Sequence, residues 1–201
     1  MNGTSGMNRI EKLLFVGWVA LASACASTPI PYKQPVSVTP PRGNVAISQA
    51  VNLLDASGSQ EAEFAEGKAT LESLVAAMPD GRYQAGNIVF GGSKREATGV
   101  GPFDRAKLAA SAKNASFLEG TTPIFAVLED DVTDAIGGES GKAAIVLISD
   151  GLATDHAGRG GVQERTVEAA KALVAGRQGE TCLHSVQVGS DPAGAQLLQA
   201  L

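Results

Sequence analysis

Apolar positions along this chain recur with two periods. Glu61 to Met78 places Phe64, Leu71, Leu74, Val75 and Met78 at helical spacing among Ala, Glu, Leu and Lys, and Pro79-Asp80-Gly81 stops the run. Asp104 to Ala115 predicts a second helix with Asp104 near its N-terminus, and Pro123 to Ile136 a third with Pro123 near its first turn. Val162 to Ala175, ended by Gly176, and Pro192 to Leu201 predict two more. Between these lie strand patterns. Val45-Ala46-Ile47 and Val51 to Leu54 bracket a strand ending at Asp55, and Tyr83 to Phe90 reads as a second. Lys94 to Val100 reads as a short polar edge strand and Cys182 to Val188 alternates. Ala143 to Ile148 is an unbroken apolar run, which suits a parallel strand buried on both faces. Strands alternating with helices of this length predict a three-layer, doubly wound α/β fold, a mainly parallel sheet flanked by helices.

The N-terminus breaks this pattern. A charged stretch, Asn8 to Lys12, precedes an apolar run, Leu13 to Ala22. The run is shorter than the roughly 20 residues a membrane span needs, and it fits the core of a signal peptide. Leu21-Ala22-Ser23-Ala24-Cys25 resembles a bacterial lipobox, although Leu21 stands four residues before the cysteine rather than three. The resemblance implies acylation of Cys25, with Ala26 favouring the outer membrane; cleavage near the alanines without lipid is the alternative. Residues 26–43 then carry Pro29, Pro31, Pro35, Pro40 and Pro41. Such density favours extended chain, which reads as a tether or as a disordered segment with no spacing role. The organisation expected is a signal peptide over 1–25, a linker over 26–43 and one domain over 44–201.

Composition narrows the chemistry. A net charge of −5 excludes a basic nucleic-acid footprint, and two Cys and two His exclude a disulfide framework or a nitrogen- and sulfur-rich metal site. An acidic, His-poor chain that binds a metal uses oxygen ligands. Three segments supply them. Asp55-Ala56-Ser57-Gly58-Ser59 lies where the first strand gives way to a helix, Thr121-Thr122-Pro123 opens the third helix, and Asp150-Gly151 follows the apolar strand. In an open α/β sheet these strand ends converge on one edge, where ligands bind. Two carboxylates with three hydroxyls suit a hard cation such as Mg²⁺, with Mn²⁺ or Ca²⁺ as alternatives.

D-x-S-x-S, a Thr before Pro at a helix start and a strand ending in S-D-G together resemble the metal-ion-dependent adhesion site of the von Willebrand factor type A family. The resemblance covers about residues 44–201. It implies that Ser57, Ser59 and Thr122 ligate the metal directly, with Thr121 as the fallback for Thr122. It implies that Asp55 and Asp150 act directly or through water, and that a protein partner supplies an acidic group to the ion. Gln60 stands where many bacterial members have Met. Family domains also have one more strand and a last helix after the strand Cys182–Val188, so either a shortened chain or a sheet one strand short is expected.

The function expected is a cation-dependent protein-binding module of a cell-envelope lipoprotein, anchored by lipid and facing the periplasm. It is not expected to be an enzyme. Asp55 stands where a nucleophile elbow has Gly, and neither a Walker-type loop nor G-x-G-x-x-G occurs at the first strand-to-helix turn. A hydrolase using the same ion and a purely structural envelope protein are the alternatives. Asp155-His156 reads as a solvated pair or a rim of the site, His184 as a structural residue, and Cys182 as a small buried one.

Overall fold

In the computed structural model, residues 46–137, 141–176 and 181–201 are described, all within one compact unit, Pro35–Leu201. The signal sequence, Cys25, the linker and Val45 lie outside the described residues.

The sheet runs β3-β2-β1-β5-β6, with β4 also paired to β2. Its strands are β1 (Gln49–Asp55), β2 (Gln84–Gly91), β3 (Lys94–Ala97), β4 (Gly101–Pro102), β5 (Ala143–Ser149) and β6 (Thr181–Gln187). β2, β1, β5 and β6 are mutually parallel, while β3 and β4 run antiparallel to β2. The doubly wound α/β fold read from the sequence is therefore the fold observed. β1 sits centrally and all seven of its residues are buried.

The two faces carry separate cores. On one, α1 (Phe64–Ala77) and α2 (Arg105–Asn114) cover Ala50, Leu54, Ala85, Val89 and Ile148 through Leu71, Val75, Leu108 and Ala112. On the other, Ile124 to Ile136, α5 (Gln163–Gly176) and α6 (Pro192–Ala200) cover Val51, Leu53, Phe90, Ile145 and Leu147. Asp104 caps α2 by accepting the Lys107 N–H at 3.0 Å, and Asp191 caps α6 by accepting that of Ala193 at 2.8 Å.

The structure refines several sequence boundaries. α1 begins at Phe64 rather than Glu61, because Gly58–Gln60 forms a 3₁₀ turn and the Gly58 N–H is drawn to the Gly120 carbonyl at 2.9 Å. The third helix opens as α3 (Ile124–Ala126) and closes as α4 (Thr133–Ile136), with a π-helical segment, Val127–Val132, between them. Thr133 Oγ1 donates to the Leu128 carbonyl five residues back at 3.1 Å, inside that wider turn. Asp131 in the segment is bonded to Arg95 of β3 at 2.7 Å, and Glu129 to Arg165 of α5 at 3.0 Å.

Two residue assignments change. β5 is not buried on both faces throughout: Ala144 and Val146 are half-buried. They neighbour Cys182 and His184 of β6, which pairs only with β5 among the described residues. Cys182, His184 and Val186 are exposed on that side. Neither the thiol nor the imidazole is an interior residue, since period-2 alternation fixes a strand's faces but not which face is covered.

Candidate functional site

The three sequence segments meet at the C-terminal edge of the sheet, held by backbone contacts between loops. The Ala56 carbonyl accepts the N–H groups of Leu118 and Glu119, each at 3.0 Å, and the Gly92 N–H donates to the Thr121 carbonyl at 2.7 Å. A β-carbon on Gly120 would stand 3.0 Å from Gly92 Cα, and Gly120 has φ +82°, a conformation that costs glycine nothing. These close approaches bring the Thr121–Thr122 turn over the loop that follows β1.

The hydroxyls converge there. Ser57 Oγ lies 2.7 Å from Thr122 Oγ1 and 3.3 Å from Ser59 Oγ, and Ser59 Oγ lies 3.5 Å from Thr122 Oγ1. Adjacent oxygens around a Mg²⁺ ion, at bond lengths of 2.0–2.1 Å, stand about 3 Å apart in octahedral geometry. The three hydroxyls are thus spaced as one face of such a shell. Of the two Thr residues, Thr122 is the one that meets the serines.

The carboxylates are presented differently. Asp55 is fully buried, and both its oxygens are engaged: Oδ2 accepts the Ser149 hydroxyl at 2.6 Å and Oδ1 the Ser57 N–H at 3.0 Å. Burial pushes its pKa up to about 6, opposed by the bonds from Ser149 and Ser57 and reinforced by the nearby Asp150. Asp150 Oδ1 accepts the Leu152 N–H at 2.8 Å, while its buried Oδ2 has no hydrogen-bond partner. An orphaned carboxylate oxygen at the same end of the sheet as three hydroxyls is the donor that a hard cation lacks in a purely neutral set. No cluster of three or more His, Cys, Asp or Glu side chains occurs among the described residues, so an ion at this edge depends on the hydroxyls.

Some supporting residues carry little mark in the sequence. Ser149 orients Asp55 and also accepts the Gly151 N–H at 3.0 Å; its one signal is its place before Asp150. Thr154 accepts the Thr122 N–H through Oγ1 at 2.8 Å and returns its own N–H to the Thr122 carbonyl at 3.0 Å. Nothing in the sequence marks this clamp. Gln60, adjoining the site, is buried with an unpartnered amide nitrogen. Asp155 is not merely solvated: it organises its loop by accepting the Ala157 and Arg159 N–H groups. His156 packs edge-on against Phe125, with ring centroids 5.7 Å apart.

No protein-family model and no curated protein sequence matches the chain. Solved structures do. An aerotolerance-related membrane protein from Bacteroides fragilis matches at TM-score 0.53 and 22% identity, over 70% of this chain and 67% of that one. Manganese-loaded TRAP protein from Plasmodium vivax matches at TM-score 0.55 and 18% identity, over 76% of this chain and 62% of that one. Proximal thread matrix protein 1 from the mussel byssus matches at TM-score 0.54 and 17% identity, over 82% of this chain but only 40% of that one. The chain thus spans less than two thirds of the latter two proteins. At these identities the likeness is one of fold.

Proposed function

We propose, for a chain whose fold is that of the von Willebrand factor type A domain, that it is a divalent-cation-dependent protein-binding module. Ser57, Ser59 and Thr122 would hold the ion directly, and Asp55 and Asp150 directly or through water. What carries the reading is the trio of hydroxyls within 3.5 Å of one another, at the end of the sheet that also holds the unpartnered, buried Asp150 oxygen. The manganese named for the Plasmodium neighbour is in keeping with it. An ion held there would supply a Lewis-acidic position for the carboxylate of a protein partner. With Asp55 and Asp150 acting through water, the neutral hydroxyls would pass little charge to the ion, which would keep its pull on that external acid.

The reading is of a binding module rather than an enzyme, because the three hydroxyls bond one another rather than a histidine base. The domain would be carried on the cell envelope by a lipid on Cys25, with the Pro-rich segment as tether. Among the described residues no helix is long and apolar enough to cross a membrane.

The test is a thermal melt of the full chain with Mn²⁺ or Mg²⁺ titrated in. Binding to the folded state alone raises the melting temperature by about 5–10 °C at a hundredfold excess over Kd. Asp150→Ala should abolish the rise. A wild-type melt indifferent to both ions would sink the reading. Esterase or phosphatase turnover lost in Asp150→Ala would instead favour the hydrolase. Cys25→Ala should release the protein from membranes, and continued membrane partitioning would remove the lipid anchor.

A further inference from the structure

The loops around the metal edge carry charge unevenly. The loop after β5 exposes His156 and Arg159, whereas the loops after β1 and before α3 expose Glu61 and Glu119. The side that carries Arg159, in an ion pair with Asp155, is firmly built. Thr154 is clamped to Thr122 in both directions. Next to it, Asp155 Oδ1 accepts the N–H groups of Ala157 and Arg159 at 2.8 and 2.9 Å, and the Asp155 N–H donates to the Arg159 carbonyl at 2.8 Å. A β-carbon on Gly158 would stand 3.7 Å from Thr121 Cγ2, so the turn that carries Arg159 rests on the neighbour of Thr122.

The two arginines nearby differ in what they leave free. Arg165 lies 3.8 Å over the Phe125 ring and bonds Glu129 through Nη2, so its terminal fork is already engaged. Arg159 donates only Nε, to Asp155 Oδ2 at 2.7 Å. Its side chain is 80% exposed against 21% for Asp155, which places the carboxylate inside and the guanidinium outside. Among the described residues its two Nη groups have no partner. Four of the five guanidinium N–H donors thus remain, in the fork that matches a carboxylate. The Asp155 contact holds that fork in one orientation, which lowers the entropy lost when an outside group binds.

We propose that Arg159 is a recognition residue, whose Nη fork binds a second carboxylate of the partner beside the acid held at the Ser57–Thr122–Asp150 edge. The partner is a protein segment with at least two acidic side chains close together. Glu61 and Glu119 disfavour further acidic residues on the opposite side and so set its direction across the site. This inference rests on the cation-dependent reading above.

The experiment compares labelled hexaglutamate with a peptide carrying a single Glu among neutral residues, by fluorescence polarisation at saturating Mn²⁺. It uses the full chain as wild type, Arg159→Gln and Arg159→Lys. Hexaglutamate should bind wild type more tightly than the single-Glu peptide. Arg159→Gln should weaken hexaglutamate by about three- to tenfold and leave the single-Glu peptide nearly unchanged. Arg159→Lys, with charge but no fork, should fall between. The Mn²⁺-induced melting shift should be the same in all three proteins. Unchanged hexaglutamate affinity in Arg159→Gln, or no wild-type preference for hexaglutamate, overturns the assignment while a retained Mn²⁺ shift leaves the parent reading standing. Absence of that shift in wild type brings down both.

Discussion

Gly194, in the first turn of α6, is packed directly on the backbone of Asp150: a β-carbon at Gly194 would overlap the Asp150 carbonyl oxygen. A β-carbon on Gly151 would in turn run into the Gly194 carbonyl, and Gly151 has φ +78°. The backbone that carries the orphaned carboxylate is therefore seated against a helix from the last part of the chain. Gly194→Ala should cost about 1–3 kcal/mol, the usual range for forcing extra volume into a packed site. Mn²⁺ affinity should fall with it, since relieving the overlap breaks the contact that seats the Asp150 backbone on α6. A urea melt and a metal titration of the variant check this; wild-type values in both would show that the contact yields without consequence.

Asp55 makes the metal-free protein sensitive to pH in a defined direction. Its folded pKa of about 6 exceeds the ordinary 3.8. Below 3.8 the group is protonated in both states and adds no pH dependence. As pH rises towards 6 the unfolded chain gives up this proton first, so the folded state loses ground. The loss accumulates at about 1.4 kcal/mol for each pH unit between the two values, reaching roughly 3 kcal/mol by pH 7. In EDTA, Asp55→Asn should therefore melt above wild type at pH 7, and the gap should shrink towards pH 4. A gap independent of pH would contradict the buried, destabilised carboxylate.

Ser149 and Thr154 touch the proposed ion through other residues, so their removal should weaken it without unfolding the domain. Ser149→Ala frees one Asp55 oxygen, and Thr154→Val removes the acceptor for the Thr122 N–H. Partners of metal ligands typically contribute about 10–100-fold in affinity. Each variant should raise the apparent Kd for Mn²⁺ within that range; in EDTA Thr154→Val should melt within a few degrees of wild type and Ser149→Ala lower, because it leaves a buried Asp55 oxygen unpaired. Calorimetric titration showing unchanged affinity would mean that the hydroxyl trio is positioned by backbone contacts alone.

Arg105 closes the C-terminal end of α1. Its Nη1 donates to the Val75 and Ala76 carbonyls at 2.8 and 3.0 Å, and its Nη2 to the Met78 carbonyl at 2.6 Å and to Asp80 at 2.7 Å. Arg105→Ala should destabilise by about 1–3 kcal/mol, because carbonyls at a helix end lose a charged donor. Asp80 is 83% exposed, and Asp80→Ala should change stability by less than about 0.5 kcal/mol. Equal costs for the two would transfer the effect from the helix cap to the ion pair.

Legibility in the sequence follows the range of the interactions. The strand and helix types are legible because apolar periodicity is local, and the hydroxyl trio is legible because D-x-S-x-S and Thr-Pro sit at strand and helix boundaries. The missing parts depend on contacts across the fold. The clamp between Thr122 and Thr154 joins residues 32 apart, and nothing near either marks the other. The π-helical segment interrupts a pattern that reads as ordinary helix, in a stretch where Asp131 and Glu129 are tied to distant arginines. Cys182 and His184 mislead because alternation in β6 marks two faces without saying which of them is covered.

The bond between Ser57 and Thr122 spans 65 residues, and that between Asp55 and Ser149 spans 94. Both close large loops, and the chain forms such contacts only after the entropy of closing them has been offset by the packing of the strands between. The proposed cation site is thus a late product of folding, absent from any short fragment and from any partly assembled sheet. A nascent or misassembled copy carries every ligand residue and still has no affinity to offer. On the proposed reading, capture of a metal ion would therefore report that the whole domain has been built.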